Sequence, residues 1–176
     1  MRKKPLPRLK ACQRNWGNFR DRSVIFVDIG YSSVSAVLFS GTRFQASKAI
    51  DLGCLDIDRA IANLKGVDLH VASTYREADF EGVLGSPECM TIYGGLAVEI
   101  TKVIHFYNFN STGKEVDGMY LLGGGAEIPQ LATAIAAAIP VKVDSIGALL
   151  PGEVQGSIGM SSCGLAVAAL LEGEAV

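Results

Sequence analysis

The chain is short of charge. Only 19% of its 176 residues are Asp, Glu, Lys or Arg, against 49% hydrophobic, and mean hydropathy is +0.29. Disordered segments show the opposite balance, so the composition excludes one. Long unbroken apolar runs are also missing. Val24 to Val27 is cut off by Asp28, and the longest uncharged stretch, Val154 to Leu171, is interrupted by Gly156, Ser157, Gly159, Ser161, Ser162 and Gly164. The first is too short for the core of a signal peptide and the second too polar to cross a bilayer alone, so neither a secretion signal nor a membrane span is expected. Cys12, Cys54, Cys89 and Cys163 form no CxxC pair and have no histidine close by. Neither a zinc site nor a disulfide framework is indicated, and a reducing cytoplasm suits them. His70 and His105 lack the neighbours of a Ser-His-Asp or Cys-His nucleophilic set and read as structural.

What charge there is lies unevenly. Residues 1–22 carry eight basic residues (Arg2, Lys3, Lys4, Arg8, Lys10, Arg14, Arg20, Arg22) against Asp21, a net +7. The other eight basic and seventeen acidic residues leave residues 23–176 at −9, for a total of −2. Residues 1–22 therefore read as a basic tail or linker; a solvated tail is the plainer reading and no nucleic-acid partner is expected. The body runs from 23 to 171, and residues 172–176 are an acidic end. The length suits one domain or two small ones.

From Ser23 the texture is that of a folded domain. Val24–Asp28 reads as a buried strand, Ile29–Ser32 as a turn, Ser33–Phe39 as a second strand, and Phe44–Leu52 as a third that pairs back across a turn at residues 40–43. Asp56 suits the N-cap of a helix through Leu64, with Ile57, Ala60, Ile61 and Leu64 at helical spacing and Gly66 as its stop. A short helix over Val71–Phe80 is expected. A longer one follows Pro87, where Ile92, Leu96, Ile100, Val103, Ile104 and Tyr107 make one stripe. Val116–Leu122 reads as a strand, Gly123–Gly125 as a turn, Ile128–Ile139 as a helix, Val141–Val143 as a short strand, residues 144–158 as a loop, and Met160–Leu171 as a final helix. Three sequential strands followed by β-α-β crossovers predict an α/β fold: a mixed sheet that begins with a three-stranded meander and is covered by helices.

Three constellations carry chemistry. In Asp28-Ile29-Gly30-Tyr31-Ser32-Ser33 a strand ends in a tight turn whose amides can converge on an anion. Gly30 permits close approach, Ser32 and Ser33 add hydroxyl donors, and Asp28 is placed to hold a phosphate-bound Mg²⁺ through water. The plainer reading is a β-hairpin with an Asx-type turn. In Gly123-Gly124-Gly125-Ala126-Glu127-Ile128 a strand passes through three glycines to a helix start, where a flat ring or ribose can lie against bare backbone; a flexible connector is the alternative. Glu99 and Lys102, at i and i+3 on the long helix, point the same way and either bracket a nucleoside or form a solvent-facing ion pair.

In this order the pieces resemble the second half of the actin-like ATPase domain shared by actin, FtsA and sugar kinases, and within it the PilM family of type IV pilus assembly proteins. Val27-Asp28-Ile29-Gly30 with Ser33, Ser35, Val37 and Leu38 is similar to that family's second phosphate loop. Glu99–Asn108 resembles its helix ending in an aromatic pair, Leu122–Leu131 its adenosine loop, and Gly164–Val167 its closing helix. Asp28–Val34 also resembles the family's first phosphate loop, but the second is preferred because Ala49–Gly53 and then Ala60–Ala62 follow it.

The resemblance covers residues 23–171 and implies a phosphate site at Gly30, Tyr31, Ser32 and Ser33, with Mg²⁺ held by Asp28 through water. It also implies an adenosine site at Glu99, Lys102, Gly123, Gly124, Gly125 and Ile128. ATP or ADP with Mg²⁺, held weakly by this chain alone, is the implied cofactor, and no catalytic residue is assigned. The implied role is a pilus assembly scaffold: the second half of a nucleotide-binding fold, acting by protein–protein contact. Its partners would be pilus assembly proteins at the cytoplasmic face of the inner membrane, with a homodimer or a separate first-domain chain completing the fold. The alternative role is a nucleotide-binding ATPase of the FtsA cell-division or sugar-kinase type.

Overall fold

A computed structural model describes residues 22–41, 43–110 and 115–149. Its centre is a five-stranded sheet in the order β3-β2-β1-β4-β5. β1 (Ser23–Ile29), β2 (Val34–Ser40) and β3 (Arg43–Ile50) form an antiparallel meander. β4 (Gly118–Leu122) and β5 (Lys142–Ser145) extend it in parallel with β1. The predicted mixed sheet with its opening meander is the one observed. Between β3 and β4 come α1 (Cys54–Lys65), α2 (Leu69–Ala78) and α3 (Pro87–Asn110), and α4 (Pro129–Ala138) joins β4 to β5.

The strands alternate, and the two faces of the sheet have different contents. Ile25, Val27 and Ile29 of β1, Val34, Ala36 and Leu38 of β2, and Met119 and Leu121 of β4 pack under the helices in one apolar cluster. Ile57, Ile61, Tyr93, Ile100, Ile104, Leu131 and Ile135 supply the helix side. The opposite face is aromatic: Phe26 stacks on Tyr120 with centroids 5.5 Å apart and meets Phe39 edge-on at 6.0 Å. Asp28 and its cross-strand partner Ser35 belong to this second face.

Several boundaries differ from expectation for local reasons. α1 starts two residues before Asp56: Gly53 is its N-cap, and the Asp56 carboxylate accepts the Gly53 N–H at 2.9 Å from the third helical position. This is one arm of a capping box. α2 covers Leu69–Ala78 instead of Val71–Phe80, because Asp68 accepts the His70 and Val71 amides and so sets the start. Phe80 opens a 3-10 turn, Phe80–Gly85. β4 is shorter than Val116–Leu122, since the Val116 amide goes to the Asn108 side chain and the Asp117 amide to the Ser23 carbonyl. β5 runs to Ser145, and a 3-10 turn over Ile146–Leu149 occupies the start of the expected loop. The final helix expected at Met160–Leu171, the basic segment up to Asp21 and the acidic end lie outside the described residues.

Candidate functional site

Because β1 and β4 are parallel neighbours with Asp28 opposite Leu122, the segments that follow them emerge side by side at the sheet's carboxyl edge. The topology thus brings together the first two constellations, nearly a hundred residues apart in sequence. In open α/β sheets this edge is where ligands bind.

The turn after β1 is pinned from behind. Gly30 donates to the Ser33 carbonyl at 3.1 Å, while the Gly30 and Tyr31 carbonyls accept the Cys54 and Leu55 amides, at 3.2 and 2.8 Å. The start of α1 therefore holds the turn in place. Gly53 makes this approach feasible, since a Cβ there would lie 2.5 Å from the Tyr31 carbonyl oxygen. Tyr31, Ser32 and Ser33 are exposed, and their amides have no protein acceptor among the described residues. These amides and the Ser32 and Ser33 hydroxyls are the donors that an anion such as a phosphate chain would meet at this turn. Asp28 stands half-buried behind them, and burial pushes its pKa above the ordinary carboxylate value, the condition that a bound cation relieves.

The glycine loop has a different use from the one expected. Gly123 has φ +86°, and a Cβ there would meet the Asp28 carboxylate at 2.4 Å and the Ile29 carbonyl oxygen at 2.6 Å. A Cβ on Gly125 would strike the Ile29 side chain at 2.2 Å and approach the Cys54 sulfur to 3.1 Å. These two glycines are bare so that the loop can lie on the end of β1. Gly124 is exposed at the edge, whereas Ile128 is buried in the helix-side core. Gly124 and Gly125 open a 3-10 turn, Gly124–Glu127, that precedes α4, so the loop does not run directly into the α-helix.

Glu99 and Lys102 are not at this edge. Lys102 Nζ and Glu99 Oε1 pair at 2.5 Å, the solvent-facing ion pair of the plainer reading. α3 runs antiparallel to β1: Tyr93 lies near Cys54 by the turn, and Tyr107 Oη reaches Ser23 Oγ at 3.0 Å at the strand's start. At 1.5 Å per residue, Glu99 and Lys102 sit about 8–12 Å from Tyr107 along the helix, whereas the turn is about 20 Å from Ser23. They line a separate groove beside β3. Lateral position of this kind depends on how the helix is rotated on the sheet, which i, i+3 spacing does not encode.

Sequence reasoning missed Gly53 as the residue that seats the turn; its place directly before a helical pattern was the available signal. It also missed a polar layer under the edge. Asp58, fully buried, accepts from Arg76 Nε at 2.7 Å, and Asp79 accepts from Gln130 at 2.9 Å. Burial pushes the nearby Cys54 thiol and Tyr93 phenol up. The described residues contain no cluster of His, Cys, Asp and Glu able to hold a metal by itself.

The meander followed by parallel strands, with a turn and a glycine loop meeting at the carboxyl edge, has the fold of one half of actin-like proteins. No protein-family model matches the chain, and no curated protein matches it in sequence. Among solved structures it is similar to the PilM-PilN type IV pilus biogenesis complex (TM-score 0.74, 21% identity, 94% of this chain and 51% of that one). It is also similar to the ethanolamine utilization protein EutJ from Carboxydothermus hydrogenoformans (0.61, 16%, 78% and 47%) and to the archaeal actin homologue Ta0583 (0.60, 16%, 96% and 55%). The chain spans about half the length of each, and at these identities the likeness is one of fold.

Proposed function

We propose that the chain serves type IV pilus assembly as a PilM-type scaffold, acting through protein contacts at the cytoplasmic side of the inner membrane. The observation that carries this reading is the superposition of 94% of the chain on a structure from a pilus biogenesis complex. The same half-fold also occurs in structures with other roles, so the pathway is a matter for genetics. Deleting the reading frame in its source organism should abolish surface pili, and the intact gene supplied in trans should restore them. Normal piliation in the deletion strain overturns the reading.

The free amides of Tyr31–Ser33 beside Asp28 favour a second, compatible reading: the site binds a nucleotide phosphate chain with Mg²⁺. When bound, the ion would neutralise phosphate charge beside Asp28, and the amides and hydroxyls of the turn would orient the phosphates. Magnesium-dependent ATP binding that disappears in Asp28→Ala supports this; equal binding by that variant overturns it.

A further inference from the structure

Away from the carboxyl edge, a groove of about 580 Å³ runs between β3 and the second half of α3. Its β3 wall is formed by four consecutive residues, Gln45-Ala46-Ser47-Lys48. A β-bulge at Gln45, between Ala46 opposite Leu38 and Phe44 opposite Phe39, breaks the alternation here, and the groove follows the outer side of the strand along all four residues. Among the described strands β3 is the outer one next to β2, and Arg43 to Ala49 are exposed or half-buried. The facing wall is mixed, with Lys102 and Asn110 beside Val103 and Phe106, the latter 69% exposed. A strand edge with no partner strand among the described residues, beside such a groove, is the geometry of strand addition.

Charge selects the occupant. β3 carries Arg43 and Lys48 and no acid, although residues 23–176 together carry a net charge of −9. Neither cation has an ion-pair partner among the described residues, while Lys102 across the groove is paired with Glu99. Antiparallel pairing with a second copy of β3 would set cations near cations, the usual protection of an edge against its own kind. The same charges attract an acidic strand.

We infer that the β3 edge is a docking site for an extended segment of a partner protein in which acidic and β-branched apolar residues alternate. Arg43 and Lys48 pair with Ser40 and Ala36 and so face the helix side of the sheet; the carboxylates of the added strand share that side with them, and its apolar side chains fall on the other side, with Phe44. This inference names a surface for the scaffold role and rests on that reading.

The test uses the whole 176-residue chain and a fluorescein-labelled hexapeptide of alternating Glu and Val, with a Lys-Val peptide as the counterpart. Fluorescence anisotropy should show binding of the acidic probe that weakens as ionic strength rises from about 0.05 to about 0.5 M. Amide hydrogen exchange should slow within Gln45–Lys48. The double variant Arg43→Glu with Lys48→Glu, both on an exposed strand, should lose about tenfold or more in affinity for the acidic probe and bind the basic one instead. Absence of binding at millimolar probe, protection elsewhere, indifference to the charge reversal, or self-association that protects the same amides overturns the inference. If the probe fails while deletion still abolishes pili, the docking site falls and the scaffold stands; if the probe binds and piliation is normal without the gene, the scaffold falls.

Discussion

Each of the residues that assemble the site trades stability for position in a different way. Gly53 and Gly123 are required by backbone proximity, so their replacement should be felt by the fold before any ligand is added. Gly53→Ala would press a methyl against the Tyr31 carbonyl, and Gly123→Ala would do so against Asp28 from a left-handed backbone. Each is expected to cost about 2 kcal/mol or more in urea unfolding, whereas Gly124→Ala, at an exposed position, should change stability by less than about 0.5 kcal/mol. Equal losses at all three would show that the loop is not seated on β1. Asp28 is the converse case. Its raised pKa means that the folded chain holds the proton more tightly than the unfolded chain does. The ionised form therefore costs stability above the folded pKa, and the cost vanishes as pH falls through it. Asp28→Asn should raise Tm by about 2–4 °C at neutral pH, with the gain shrinking as the solution is acidified, and should lose Mg²⁺ dependence of nucleotide binding. A lower Tm at pH 7 would mean that the carboxylate has a favourable partner.

At the scale of elements, α2 is tied to α1 by a buried ion pair as well as by apolar packing. Arg76 is mostly buried and Asp58 entirely so, and the second Asp58 oxygen has no hydrogen-bond partner. Truncating Arg76 strands a carboxylate in the core. Arg76→Ala is expected to cost about 3–5 kcal/mol, and Arg76→Met combined with Asp58→Leu to recover most of that, as read by chemical denaturation. Additive losses in the double variant would contradict the pairing. This tie also shows where sequence reading reaches its end. Periodicity placed all five strands and the long helix within a few residues, because alternation and helical stripes report burial directly. Asp68 and Asp56 caps, and the exit of α2 through left-handed Asp79, shift boundaries by two residues through bonds that span only a few positions. Asp58 and Arg76 are eighteen residues apart, and Asp79 and Gln130 fifty-one, and no local pattern couples them. The candidate site divides in the same way. The turn from Asp28 to Ser33 was legible as a turn because its signals are local, and its use as a phosphate site remains a proposal. Glu99 and Lys102 were misplaced because their position depends on a helix crossing the sheet, and the glycines of residues 123–125 were read as room for a ligand when two of them make room for β1.

For the molecule as a whole, the sheet presents one wall of the proposed ligand site. The groups proposed to face a phosphate all come from a single turn, Tyr31–Ser33 with Asp28, and two of the three loop glycines are occupied by β1. Phosphoryl transfer depends on charge stabilisation arranged around the transferring group, with a residue to orient the attacking water. Glu99 and Lys102, the pair expected to bracket a nucleoside, lie beside β3 and not at the sheet's carboxyl edge. The 176-residue chain should therefore bind ATP with a Kd no tighter than micromolar and show no steady turnover. Calorimetry with ATP and Mg²⁺ checks the first and a phosphate-release assay the second. A nanomolar Kd, or release at about 1 per second or more that disappears in Asp28→Ala, would show that this one wall is sufficient for tight binding or for catalysis.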